Sequence, residues 1–251
     1  MRSIWNGTIS FGLVSIPIKM YSATESKSTG FRMLCKKCMT PVRYERHCEG
    51  CEEQVEWDDI IKALDLGNGQ YLPFTKEELD ELKPEKSDRI EIMEFINSSE
   101  MEPIFYNKFY FLAPPRAKDR AFFLFHKVLD NSDKVAIGKF VMREKEYVCA
   151  IRPHKNGLLL STLNYQYEIR DINEIKELQD VPEVKKEEVE LAEKLVDQLY
   201  RKKFHLEQFK DTYSEQLQEM IENKEKVQAK PKKKVPVEEQ SLMDALKASL
   251  S

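Results

Sequence analysis

The sequence predicts a mixed class, β with α: an antiparallel β domain followed by a helical C-terminal portion. Three observations carry that reading. Apolar and polar residues alternate from Met1 to Tyr21, three apolar runs between Val135 and Leu163 are separated only by short turns, and beyond Asp171 the apolar spacing becomes helical with no strand nearby.

Trp5, Ile9, Phe11 and Leu13 share one parity with Asn6, Thr8 and Ser10 between them, as a half-buried strand requires. Ile16, Ile18 and Met20 predict a second strand whose opposite face carries Lys19, with Pro17 marking an edge or a strand start. A loop bearing Cys35 to Cys51 follows. Thr75 and Glu78 make a capping box, so Lys76 to Lys83 reads as a short helix that Pro84 stops. Ile90, Ile92 and Glu94 alternate as a strand, and Phe105 to Leu112 is aromatic and β-prone.

Ala117 to Asp130 predicts a helix with Ala121, Leu124, Phe125, Val128 and Leu129 in one apolar stripe. The runs Val135 to Met142, Tyr147 to Arg152 and Leu158 to Leu163, joined by short charged or Asn-Gly turns, predict three antiparallel neighbours. Asp180, Pro182 and Glu183 open a helix whose seam of Val184, Leu191, Leu195 and Leu199 runs to about Lys203. A second helix is expected from Thr212 to Lys224, with Tyr213, Leu217, Met220 and Ile221 on one side.

The chain has 251 residues, 41% of them apolar, enough for a real core. No run approaches the ~20 apolar residues of a membrane span, and the N-terminus lacks a signal-peptide core, so a cytosolic protein is expected. The net charge of −4 conceals segregation: residues 1–46 and 104–155 are each +6, while 47–103 and 156–222 are −12 and −7. Such blocks predict one basic and one acidic surface, and the field at a basic groove matters more to a phosphate backbone than the total. Two solvated faces are the plainer reading of the same numbers.

Cys35 and Cys38 precede Cys48 and Cys51, two C-x2-C pairs whose spacing lets four thiolates close a tetrahedral zinc shell. A closed shell leaves no position for water, so the expected zinc is structural. Four reduced thiols, or His47 replacing one ligand, are the alternatives. Cys149 stands alone in an apolar run and reads as an inert core thiol. The histidines His47, His126, His154 and His205 show no catalytic metal spacing, Gly67 and Gly69 read as a turn, and Asp58 and Asp59 read as solvated charge. No catalytic constellation is found, so an enzyme is not expected.

Several blocks carry a family likeness. Met1 to Tyr21 (MRSIWNGTISFGLVSIPIKMY), Val42 to Arg46 (VRYER), Tyr71 to Leu82 (YLPFTKEELDEL), Ile90 to Pro103 (IEIMEFINSSEMEP), Phe109 to Pro114 (FYFLAP) and Phe209 to Lys224 (FKDTYSEQLQEMIENK) resemble, in order, the prokaryotic Ku family of DNA-end-binding proteins. The resemblance implies an antiparallel Ku-type β-barrel core over 1–175, into which the zinc knuckle read from the cysteine spacing at 35–51 is inserted, and the two helices read from their spacing make a helical C-terminal arm at 176–227. It further implies a homodimeric ring that threads double-stranded DNA ends and recruits a multifunctional bacterial end-joining ligase.

The expected DNA contacts are Lys19, Arg32, Lys36, Lys37, Arg43 and Arg46 in one basic set and Lys108, Arg116, Lys118, Arg120 and Arg143 in another, interleaved with Phe31, Tyr44 and Phe109. The aromatic run Phe105 to Phe111 is a candidate dimer surface. Residues 228–240 (Lys/Pro-rich) read as a linker, and 241–251 as an amphipathic tail that presents Leu242, Leu246 and Leu250 to a partner. Two other readings stay open: an end-processing lyase acting through a lysine amine, and a zinc-bearing adaptor that contacts only proteins.

Overall fold

The computed structural model describes residues 1–226; the expected linker and leucine tail lie outside them. The chain divides into two compact units. One comprises Met1–Lys27 with Asp58–Lys202, and the other comprises Ser28–Trp57 with the chain from Lys203.

The first unit is built on a hairpin of β1 (Trp5–Phe11) and β2 (Val14–Ser22). Gly12 begins the two-residue connection with φ 55°, the positive angle that a primed hairpin turn needs there. Leu13 therefore sits at the turn tip, fully exposed, instead of continuing the apolar face of Trp5, Ile9 and Phe11. Ile16, Ile18 and Met20 are buried as their parity requires. Pro17 is tolerated because β2 finds its second partner only from Lys19 onward, so the missing N–H breaks no ladder.

Two short strands follow in the second unit, β3 (His47–Cys48) and β4 (Glu53–Gln54). The first unit resumes with the hairpin β5 (Lys62–Gly67) and β6 (Gln70–Phe74), which turns on Gly67 and Gly69 at φ 83° and 76°. Helix α1 (Lys76–Glu81) carries the full capping box, Glu78 donating its N–H to Thr75 and Thr75 donating to the Glu78 carboxylate.

The barrel is completed by β7 (Arg89–Asn97), β8 (Tyr106–Ala113), β9 (Lys134–Met142), β10 (Lys145–His154) and β11 (Gly157–Leu163), in the order β1-β2-β8-β11-β10-β9-β7. Seven strands cannot alternate direction all round a ring. One seam must be parallel, and β1 with β7 is that seam, so the barrel is not antiparallel throughout. In β7 the register shifts between Ile92 and Glu94, which leaves Ile90 and Ile92 inside and Glu94 exposed. Gly7 lies in the barrel wall, where any Cβ would run into the Asp88 carbonyl and the Trp5 indole.

Helix α2 (Arg120–Ser132) closes one mouth of the barrel. It begins at Asp119, which caps it by accepting the Phe122 N–H at 3.0 Å, and so starts later than the apolar spacing suggests. Phe122, Phe125 and Leu129 are buried, whereas Leu124 and Val128 face out. Phe11 stacks on Phe125 with ring centres 5.3 Å apart. At the opposite mouth Trp5, Phe140 and Tyr147 pack ring against ring.

Helix α3 (Lys186–Leu199) starts later and ends earlier than expected, and α4 (Thr212–Asn223) is capped by Asp211. The two helices of the expected arm fall in different units, α3 in the first and α4 in the second.

Candidate nucleic-acid interface

The barrel register sorts the basic residues by position. Lys19 lies directly across from Ala113, the last residue of β8, and Arg116, Lys118 and Arg120 follow that strand end into α2. Arg116, Lys118 and Arg120 therefore lead from the end of β8 into α2, and Lys19, which pairs with Asn6 on its other side, lies on the β2 wall beside that strand end. Lys108 sits near the other end of β8, where its N–H donates to Thr162 Oγ1, and Arg143 occupies the β9–β10 turn at that same end. Five residues of strand at ~3.3 Å each put roughly 17 Å between Lys108 and the end of β8. Arg32, Lys36, Lys37, Arg43 and Arg46 belong to the second unit. The two sets defined by sequence proximity thus divide between the two ends of β8 and the second unit.

Ten of the eleven side chains are exposed and Lys19 is half-buried. The ion pairs among the described residues engage Lys83, Lys139, Lys186, His205 and Lys210, none of the eleven. Uncompensated cations are what a phosphate backbone needs, since each contact displaces a counterion.

Three basic residues missed in the sequence also face outward. Arg89 and Lys139 line a cleft of about 360 Å³ on the barrel wall with Ser10, Ser87, Glu91 and Glu146, Lys139 pairing with Glu146 at 3.1 Å. The Arg152 guanidinium lies over the Tyr106 ring at 5.5 Å. Strand parity on β10, with Cys149 and Ile151 inside, was the signal that would have turned Arg152 outward. The aromatic run divides by the same rule: Tyr110 points into the core while Phe109 and Phe111 lie half-buried on the outer wall.

In the second unit each C-x2-C pair sits in its own turn, and the two turns have the same form. Met39 donates its N–H to the Cys35 carbonyl at 2.7 Å, and Glu52 donates to the Cys48 carbonyl at 2.9 Å. Leu34 then bridges Pro41 as His47 pairs with Gln54 in the β3–β4 ladder. The Cys51 N–H, the Cys51 side chain and the Gly50 N–H, in that order, hold the Cys48 thiol below its ordinary pKa. Cys38 Sγ and Thr40 Oγ1 are 2.8 Å apart. Among the described residues no three His, Cys, Asp or Glu groups stand close enough to share a metal ion, so the turns are formed without the four sulfurs converging. The donor set and its two matching turns nonetheless suit a thiolate-loving cation.

The remaining titratable groups read as structural. Cys149 is fully buried, and burial pushes its thiol up to about 12. His126 bonds the Lys155 carbonyl through Nε2 at 3.0 Å. Lys83 is raised above its ordinary value by hydrogen bonds to Asp80, at 2.7 Å, and Glu144, at 2.6 Å, the opposite of what a Schiff-base lysine requires. No helix among the described residues is long and apolar enough to cross a membrane.

The family model for the Ku70/Ku80 beta-barrel domain matches residues 10–191. A protein of Archaeoglobus fulgidus named "Non-homologous end joining protein Ku" is 36% identical over 250 residues, covering 100% of this chain and 98% of its own. Proteins of the same name from Heliobacterium modesticaldum and Bacillus subtilis are 35% and 34% identical across the whole chain, covering 91% and 82% of their own lengths.

Proposed function

The chain belongs to the Ku family, and from that premise we propose that it binds double-stranded DNA ends without sequence preference, as a ring-shaped homodimer, in non-homologous end joining. The observation that carries this reading is the meeting of Lys19 with the end of β8, from which Arg116, Lys118 and Arg120 lead into α2, none of the four entering an ion pair among the described residues. Phosphates are recognised by such groups irrespective of base sequence. On this reading the protein acts as a clamp at the chromosome in the cytoplasm, does no covalent chemistry, and hands the end to a multifunctional ligase through Leu242, Leu246 and Leu250.

The test compares linear DNA with covalently closed DNA of the same sequence. A ring requires an open end, so linear duplex should shift and the closed form should not. Equal binding to both would remove the ring.

A structural zinc ion held by Cys35, Cys38, Cys48 and Cys51 is part of the proposal, supported by the repeated turn. Its role would be to lock the two turns together, with no share in any reaction.

A further inference from the structure

The turn between β10 and β11 lies on the same outer wall as Lys19. Lys19 pairs with Ala113 and Tyr21 with Phe111, and the buried residues between them point inward, so these four share the outer face. The His154 ring stacks on Phe111, with centres 5.7 Å apart and 22° between the planes. His154 ends β10 across from Gly157 and stays exposed, as does Lys155 after it. The Lys155 carbonyl is held by His126 Nε2 of α2 at 3.0 Å. Arg120 opens that helix six residues earlier, ~9 Å along its axis. The turn is thus fixed between the wall that carries Lys19 and the helix that Arg120 begins.

His154 differs from the other three histidines. His126 is half-buried against a carbonyl, His205 faces Glu207 at 3.0 Å, and His47 belongs to the second unit. Around His154 stand Phe111 on β8, Gly157 on β11, Lys19 and Tyr21 on β2, Lys155 in the turn, and Arg152 two residues back on the same face. The carboxylates of α2 and its caps have other neighbours. Asp119 accepts the Phe122 N–H, Asp133 accepts the Ser98 hydroxyl at 2.7 Å, and Asp130 lines a cleft with Lys134 and Arg152. Neither His154 nor Lys155 enters an ion pair among the described residues.

We propose that the β10–β11 turn is a further phosphate contact, made by Lys155 and by His154 in its protonated form, so that DNA-end binding strengthens as pH falls. The inference rests on the end-binding reading and adds a contact to it. Histidine is the side chain that gains a charge between pH 8 and 5, and imidazolium offers two N–H donors where neutral imidazole offers one. A phosphate beside the ring favours the charged form, so binding takes up a proton. One more neutralised phosphate releases one more counterion, which makes salt dependence the signature of the contact. Stacking on Phe111 already fixes the ring on the wall, so the added charge needs no further ordering.

The test measures the affinity of the full chain for one blunt duplex across a salt series at about pH 8 and about pH 5.5. In unaltered protein the slope of log K against log salt should be steeper by about one at the lower pH. His154→Gln should keep the shallower slope at both, His154→Arg should give the steeper slope at both, and His205→Gln should behave as unaltered protein. A slope that ignores pH in unaltered protein overturns the proposal. So does a difference that survives His154→Gln, or a shallow slope in His154→Arg. Absence of binding to the blunt duplex at both pH values would overturn the end-binding reading and the proposal with it.

Discussion

Met39 and Glu52 hold the same place in two copies of one turn, each at positive φ (55° and 57°) and each donating its N–H to a cysteine carbonyl. Left-handed geometry at a methionine and a glutamate is uncommon and disfavoured without glycine. Its repetition after Cys38 and again after Cys51 makes the two turns one structural device used twice.

Purified protein should therefore carry about one zinc per chain. Cys35→Ser with Cys38→Ser should lower both the metal content and the thermal midpoint of the second unit, read by metal analysis and calorimetry. Metal-free protein with an unchanged midpoint would show the turns to be self-sufficient.

Lys19→Gln with Arg116→Gln should weaken duplex binding equally for all sequences. If both side chains touch phosphates, the slope of log K against log salt should fall by about two. Lys108→Gln with Arg143→Gln, at the other end of β8, provides the comparison. An unchanged slope in the first variant would take that end of β8 off the DNA path.

Cys149 should resist alkylation at pH 8 in the folded protein and react only on unfolding, since burial keeps its proton in place to about 12. Below its ordinary 9.0 both states hold the proton. Above it the unfolded chain ionises first, so stability should fall as pH rises from about 9 toward 12, and Cys149→Ala should flatten that decline. Denaturant midpoints across that range give the answer.

Deleting 241–251 should abolish ligase stimulation and leave end binding and dimerisation intact, as should Leu242→Asp with Leu246→Asp, which would bury unpaired charge in a partner groove. Full stimulation by the truncated protein would move the partner site to another part of the chain.

The sequence was legible where one periodicity dominates. Ile16, Ile18 and Met20 are inside as read, and the Thr75–Glu78 capping box forms as spaced. It misled where tertiary contacts choose between equivalent faces. Helix α2 has apolar residues on two sides, and spacing alone favoured Leu124 and Val128 over Phe122; the barrel mouth took the side that carries Phe122, Phe125 and Leu129. Glu94 was thrown out by a register shift that no local pattern announces. For the candidate interface, sequence proximity grouped Lys19 with Arg32 and Lys108 with Arg116. Strand pairing regrouped them, because neighbours in a barrel come from distant parts of the chain.

The same strand order sets a schedule for synthesis. The β1–β2 hairpin is made early, but its flanks are β7 and β8, and Lys19 finds Ala113 only after ~90 more residues, some 5–20 s of translation at typical rates. During that interval Ile16, Ile18 and Met20 form a bare apolar ribbon with two open edges. The cysteine turns lie within that delay, so the second unit's hairpins can assemble while the barrel waits. Newborn chains should be most prone to capture by chaperones, or by one another, before β8 emerges.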